Sequence, residues 1–204
     1  MNIFCIEQNY LTHKRERENV IAGEPIIFVK DGSALLPPDT PFHYKKFDDH
    51  KLFCQSEIVL RISASGKDIS ENLSVNYYDA LTVGANFTAI DIHDELNGIE
   101  APWEEAKAWD NSSVIGSWMP IVDFRNTNDI NFCLYKNREM AQLGNAELMI
   151  YDFDKIVSAI SKYFTLNTGD IIFTGTPLGI GEIYKGDQLE AFIEDDTMLE
   201  FEIK

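Results

Sequence analysis

Basic residues are scarce in this sequence, and the shortage excludes several kinds of partner. The 204 residues contain 17 lysines and arginines against 34 aspartates and glutamates, which gives a formal net charge of −17. Nucleic acids and anionic membranes both bind through lysine and arginine, so neither is expected as a partner. A small anionic substrate would need local cations or a bound metal to hold it against this charge.

Long apolar runs, the pattern of a signal peptide and closely spaced cysteines are also not found in the sequence. No run approaches the roughly 18 apolar residues of a membrane span, and the start MNIFCIEQNY lacks the basic region and cleavage site of a signal peptide. The expected location is therefore the cytoplasm. Cys5, Cys54 and Cys133 form no close pair, so we expect reduced thiols rather than a disulfide framework or a zinc site.

Neither repeats, low-complexity tracts nor linkers divide the chain, and 45% of its residues are hydrophobic. We therefore expect one domain over residues 1–204. Residue patterns predict strands at 1–6, 25–30 and 56–63, and further strands in INFCLYKN, GDIIFTG, QLEAFIED and MLEFEIK. They predict an exposed helix at 12–20 and another within 148–164. The segment NYYDALTVGANFTAIDI is expected to begin as a helix and to end as a strand over 87–92.

A glycine-rich turn follows the predicted strand GDIIFTG. The segment TGTPLGIG at 174–181 places three glycines and a proline directly after that strand. Such a turn brings backbone close to a ligand in some proteins and is only a tight connection in others.

Four segments resemble the fumarylacetoacetate hydrolase family, in the family's order. GDIIFTGTPLGIGEIYKGDQLEAFIED resembles its carboxy-terminal signature, and QNYLTHKRE resembles its N-Y-x-x-H-x-x-E motif. QSEIVLRI resembles its E-x-E-L segment, and ANFTAIDI with PWEEAKAWDNSSVIGSWMP resembles its metal-aspartate strand and lysine segment. The resemblance implies an α+β, predominantly β fold of mixed, strongly curved sheets with a few short helices. It also implies a homodimer that cleaves or rearranges small 2-oxo or 1,3-dicarbonyl acids with Mg²⁺ or Mn²⁺.

The resemblance assigns metal ligands to Glu57 and Asp91, with Gln55 in the place of the family's first metal glutamate. Residues two apart on a strand share a face, so Gln55 and Glu57 can reach one point. Mg²⁺ and Mn²⁺ prefer carboxylate and carbonyl oxygens, and an amide oxygen can still coordinate them. His93 would share a face with Asp91 if that strand continued, which makes it a hypothetical extra ligand.

The resemblance also assigns catalytic roles. His13 and Glu16 are implied to form a water-activating pair, and their spacing of three places them on one helix face. Lys107 is implied to neutralise a substrate carboxylate or an enolate. Asn9, Gly175 and Thr176 are implied to bind substrate.

The predicted reaction is cleavage of a carbon–carbon bond in an acylpyruvate-type acid. Decarboxylation of an oxaloacetate-type acid and isomerisation of a 2-oxo diene are the alternatives at the same site. Gln55, together with the run HDELNGIEAPW that lacks the family's lid arginine, leaves open a third alternative. This is a protein that keeps the fold as a binding or structural dimer without the chemistry.

Overall fold

The structure is a computed structural model, and it describes residues 1–11, 23–38, 40–43, 50–179 and 181–204. The predicted exposed helix at 12–20 lies outside these ranges, as do His13 and Glu16. None of the helices in the described ranges is long and apolar enough to cross a membrane.

The described residues are mostly strands, with a few short helices. The strands are β1 Asn2–Glu7, β2 Ile26–Asp31, β3 Leu52–Ile62, β4 Tyr78–Ala89, β5 Ser113–Ile115, β6 Met119–Pro120, β7 Asn131–Lys136, β8 Glu139–Asn145, β9 Ile171–Phe173, β10 Gly181–Glu182, β11 Gln188–Ile193 and β12 Asp196–Glu202. The α-helices are α1 Ile90–Gly98, α2 Glu104–Lys107 and α3 Phe153–Tyr163. Single turns of 3₁₀-helix lie at Gly32–Ala34, Ile121–Asp123 and Ala146–Leu148, and a longer one at Glu71–Asn76. The predominantly β prediction is confirmed.

The prediction for the segment around β4 is wrong in its order, because the strand precedes the helix. Every residue of β4 except Asp79 is buried. The strand pairs with β3 on one side and with β5 and β6 on the other, and one of its faces packs into the main core through Leu81, Val83, Ala85 and Phe87. A strand covered on both faces shows no polar alternation, which removes the usual signal of a strand. Asp91 and His93 therefore lie on α1. Two residues apart on a helix they point about 200° apart, so they do not share a strand face.

The larger sheet has eight strands and curls strongly. Its main order is β2-β1-β9-β3-β4-β5, with β10 added to β3 and β6 to β4. Of the strand pairs within the described ranges of this sheet, only β1 with β9 is parallel. The chain after β2 returns to the opposite edge, where Leu35 forms a bridge with Ser113 of β5. The predicted curvature is thus present, because the two ends of the sheet nearly close into a roll.

The smaller sheet, with the antiparallel order β12-β11-β7-β8, lies on the main hydrophobic core with helix α3. Helix α3 begins at a cap in which Asp152 accepts a hydrogen bond from the backbone of Lys155. It buries Phe153, Ile156, Val157 and Ile160, the spacing of one helix face.

A second, smaller core fills the inside of the roll. Its buried members are Ile3, Cys5, Ala34, Val59, Ile171 and Phe173. Residues paired directly across strands share a sheet face. The register pairs Cys5 with Phe28 and with Phe173, and Phe173 with Val59, so these side chains point to the same interior.

Candidate active site

Polar side chains continue the interior face of the roll beyond its apolar core. Gln55 and Glu57 alternate with buried neighbours on β3, on the same face as Val59. Asn86 of β4 is the cross-strand partner of Gln55 and of Ser113. The strand register therefore places these side chains on one interior surface, and helix α2, which carries Lys107, packs against β4.

Glu57 is the buried carboxylate of this surface, with 3% of the residue exposed. Its Oε1 accepts a hydrogen bond from Asn86 Nδ2 at 2.8 Å, and its Oε2 accepts one from the backbone N–H of Gly175 at 2.7 Å. Burial raises the pKa of Glu57 to about 7, although both hydrogen bonds act in the opposite direction.

Lys30 is a fully buried cation on the same surface. Its Nζ donates to Asn86 Oδ1 at 2.6 Å, to Ser113 Oγ at 3.0 Å and to Ser112 Oγ at 3.2 Å. Burial lowers the pKa of Lys30 to about 8, while Glu57 is among the charges that raise it. Because Lys30 lies on β2 and Ser113 on β5, this lysine spans the inside of the roll.

Lys107 is the second buried cation, as its side chain is 5% exposed. Its ammonium is hydrogen-bonded to Glu7 and lies over the rings of Phe28 and Trp103, at 5.4 and 5.8 Å from their centroids. Glu7 raises the pKa of Glu57 and Lys107 lowers it, so the Lys107–Glu7 ion pair interacts electrostatically with Glu57. The surface thus carries two ammonium groups and two carboxylates.

The glycine-rich turn contacts this surface through Gly175. Gly175 adopts a φ of 96°, and a Cβ added there would lie 2.8 Å from the Cβ of Asn9. Asn9 is fully buried; its Nδ2 donates to the carbonyls of Thr174 and Tyr151, and its Oδ1 accepts from the N–H of Tyr151. The Asn9 side chain therefore holds the turn in place, and both its amide nitrogen and its amide oxygen are hydrogen-bonded within the protein.

Thr176 ties the same turn to β3. Its hydroxyl donates to the carbonyl of Ser56 at 2.9 Å and accepts from Gln142 Nε2 at 2.7 Å. The Gln142 side-chain oxygen in turn accepts from the N–H and the hydroxyl of Ser56. These bonds fix the backbone that presents the Gly175 N–H to Glu57. Substrate binding by Asn9, Gly175 and Thr176 stays a prediction.

Asp91 lies apart from this network of hydrogen bonds. It stands in the first turn of α1 with its side chain 41% exposed, and its Oδ2 is 2.9 Å from Nδ1 of His50. Burial acts to raise the pKa of Asp91, but hydrogen bonds from His50 and from the Ile92 N–H outweigh it and lower that pKa. Among the described residues no hydrogen bond joins Asp91 to Glu57. Its role as a metal ligand stays a prediction.

His93 is held by its own helix and by Trp103. The indole N–H of Trp103 donates to Asn97 Oδ1 at 2.7 Å, so the amide nitrogen of Asn97 is the group that faces His93 Nδ1 at 3.2 Å. His93 Nδ1 therefore accepts a hydrogen bond from the Asn97 amide, and its lone pair is engaged there rather than with a metal.

The donor set around Glu57 fits a divalent cation poorly. Glu57 contributes one carboxylate whose oxygens each accept a hydrogen bond, while Gln55 and Asn86 contribute neutral amides. No group of three or more His, Cys, Asp or Glu side chains suited to a metal occurs in the described ranges. Two ammonium groups also lie on this surface, and they repel a divalent cation.

Sequence reasoning missed Lys30, Asn86 and Glu7. Lys30 and Asn86 are polar residues inside apolar strand segments, IIFVK and VGANF, where a buried polar side chain requires a partner. Had the second segment been assigned to a strand throughout, its two-residue period and antiparallel pairing with β3 would have placed Asn86 near Gln55 and Glu57. Glu7, beside the N-Y motif, gives no comparable local signal.

Comparison with known proteins identifies the family. The model for the fumarylacetoacetate (FAA) hydrolase C-terminal family matches residues 2–204. The mitochondrial oxaloacetate tautomerase FAHD1 of Mus musculus is 29% identical over 203 residues, which cover 100% of this chain and 91% of that protein. Its counterpart from Caenorhabditis elegans is 30% identical over 202 residues, 99% of this chain and 94% of that one.

Solved structures agree. A fumarylacetoacetate hydrolase family protein from Yersinia pestis superposes with a TM-score of 0.90 at 29% identity, covering 100% of this chain and 93% of the other. Fumarylpyruvate hydrolase from Pseudomonas aeruginosa, crystallised with Mn²⁺ and pyruvate, gives a TM-score of 0.87 at 26% identity, covering 100% and 89%. The predicted fold and the predicted family are therefore confirmed, and this chain belongs to the fumarylacetoacetate hydrolase family.

Proposed function

We propose that this chain is an enzyme of small 2-oxo acids, and that its chemical step is proton transfer to or from the carbon beside the keto group. The observation that carries the proposal is the interior surface on which the Glu57 carboxylate lies with Lys30, Asn86 and Lys107. The Lys107 ammonium stabilises a substrate carboxylate and the negative charge of an enolate, and the fixed carboxylate of Glu57 accepts the proton.

The relatives support the substrate class. One is named as an oxaloacetate tautomerase, and another was crystallised with pyruvate. A third is a 2-hydroxyhepta-2,4-diene-1,7-dioate isomerase, 28% identical to this chain. Proton transfer between carbon and oxygen is the definition of tautomerisation. Hydrolysis of an acylpyruvate and decarboxylation of oxaloacetate both leave the enolate of pyruvate, which is then protonated at the carbon beside the keto group.

Among these reactions we take tautomerisation as the first candidate, because it requires only groups of this surface. Glu57 and Lys107 can serve proton transfer without an activated water. Carbon–carbon hydrolysis, the reaction predicted from the sequence, additionally uses the proposed His13–Glu16 base to activate water. Mg²⁺ or Mn²⁺, held by Glu57 with Gln55 and Asp91, stays a prediction, and so do the homodimer and the cytoplasmic location. None of the steps proposed for Glu57 or Lys107 passes through a metal.

The test is a panel of 2-oxo acids given to the purified chain with and without Mn²⁺ or Mg²⁺. The panel contains oxaloacetate, acylpyruvates and a 2-oxo diene acid, and the products distinguish the reactions. Loss of the enol absorbance without cleavage indicates tautomerisation, release of pyruvate together with a second carboxylic acid indicates hydrolysis, and release of pyruvate together with carbon dioxide indicates decarboxylation.

Variants then tie the activity to the site. Glu57→Gln should abolish the reaction, while Glu202→Gln, which changes an exposed strand carboxylate, should leave it unchanged. If the wild type turns over none of these acids and binds no oxalate, the proposal is wrong, and the third alternative, a binding or structural dimer, is favoured.

A further inference from the structure

We propose that Lys30, held by Asn86 against Glu57, takes the place of a divalent cation at this site. The proposal rests on the proposed function because it concerns the same surface. Its consequence is that the site keeps its fixed positive charge in side chains and binds no divalent metal in the wild-type protein.

Each of the three ammonium protons of Lys30 has a hydrogen-bond acceptor inside the protein. An ammonium group has three protons, and the three nearest acceptors of Lys30 are Asn86 Oδ1 at 2.6 Å, Ser113 Oγ at 3.0 Å and Ser112 Oγ at 3.2 Å. The residue is fully buried. Lys30 is therefore a positioning residue that acts on Glu57 through Asn86.

The orientation of the Asn86 amide follows from this contact. An ammonium group can only donate, so the amide oxygen must face Lys30 and the NH₂ group must face Glu57. Asn86 Nδ2 accordingly donates to Glu57 Oε1 at 2.8 Å. A metal ligand at this position would have to offer an oxygen lone pair, and Asn86 offers hydrogens instead.

Gln55 is the second amide of the set. It is the cross-strand partner of Asn86 and lies two residues from Glu57 on the same face. Gln55 stands in the place of the family's first metal glutamate, and Asn86 is likewise neutral, so neither amide adds a negative charge to this surface. The formal charges of this surface balance without a metal, because it carries two carboxylates, Glu57 and Glu7, and two ammonium groups, Lys30 and Lys107.

The test places a carboxylate at each of the two amide positions and measures metal binding without substrate. Mn²⁺ binding is followed by the electron paramagnetic resonance signal of the free ion, with circular dichroism to verify folding. The wild type should show no binding at millimolar Mn²⁺. The double variant Gln55→Glu/Asn86→Asp should bind one ion per chain, with affinity more than about tenfold higher than any wild-type binding.

Adding Lys30→Met to that double variant removes the competing cation. Mn²⁺ affinity should rise by about tenfold or more, an effect that loss of structure cannot produce. Lys185→Met in the same background is the matched control, since it removes an exposed lysine, and it should leave the affinity unchanged.

Two results would overturn the proposal. One is stoichiometric Mn²⁺ binding by the wild type below millimolar concentration, and the other is a folded Gln55→Glu/Asn86→Asp variant that binds no Mn²⁺. Equal Mn²⁺ affinity of the folded double and triple variants would also contradict the role given to Lys30. If the triple variant does not fold, the comparison of wild type with double variant still decides whether the wild-type site binds metal. Because no substrate is used, failure of the 2-oxo acid assays would refute the proposed function without changing this result.

Discussion

Replacing Gly175 by alanine should destabilise the fold for two separable reasons. The residue has a φ of 96°, in the left-handed region, where a side chain costs about 1–2 kcal/mol. The new Cβ would also lie 2.8 Å from Asn9 Cβ and 3.1 Å from the carbonyl oxygen of Ile6. Asn9 is fixed by three hydrogen bonds and cannot easily yield, so overpacking adds about 1–3 kcal/mol. Together these give a loss of about 2–5 kcal/mol.

Gly169→Ala is the matched control. Gly169 has a φ of 91°, but nothing lies within 4 Å of its added Cβ, so only the backbone cost of about 1–2 kcal/mol applies. The free energy of unfolding of both variants and of the wild type is measured by urea denaturation at neutral pH. An equal loss of unfolding free energy in the two variants would show that the Cβ added at Gly175 meets no steric resistance from Asn9, and it would refute the overpacking part of the prediction.

Three further changes test other parts of the fold by the same urea measurement. Asn9→Ala should cost about 3 kcal/mol because it leaves buried groups of Thr174 and Tyr151 without their hydrogen-bond partner; a loss below about 1 kcal/mol would contradict this. Lys107→Met should cost about 2 kcal/mol by leaving Glu7 without its cation, and adding Glu7→Gln should recover part of that loss; strictly additive effects would show that the two residues are not coupled. Asp152→Ala should cost about 1 kcal/mol by removing the cap of α3, and an unchanged stability would show that the cap contributes nothing.

Most of the strands could be predicted because their residues carry a local signal. The segments that became β1, β2, β7 and β11 are rich in β-branched and aromatic residues and lie between turns. The strand β4 could not be predicted in this way, because burial on both faces removes polar alternation. The curling of the sheet is a long-range property: contacts such as Leu35 with Ser113 join residues far apart in the sequence.

The residues of the candidate site likewise fall into those with a local sequence signal and those that long-range contacts bring together. Glu57 and Lys107 could be named from motifs, and the structure places both on or against the interior surface of the roll. Lys30 and Asn86 could not be named, because their meeting depends on the closure that brings β2 close to β5. The prediction that Asp91 lies at the end of a strand failed because its segment is the first turn of α1, where the carboxylate pairs with His50.

Deuterium exchange tests the central claim most directly, because it reports proton transfer at the carbon beside the keto group whichever product the enzyme forms. Oxaloacetate in deuterium oxide is followed by NMR with the wild type, Glu57→Gln and Glu202→Gln, each treated with a chelator. We expect the wild type and Glu202→Gln to accelerate exchange at the methylene carbon and Glu57→Gln to match the protein-free rate. Exchange by Glu57→Gln at the wild-type rate, or by none of the three proteins, would contradict the assignment of this chemistry to Glu57.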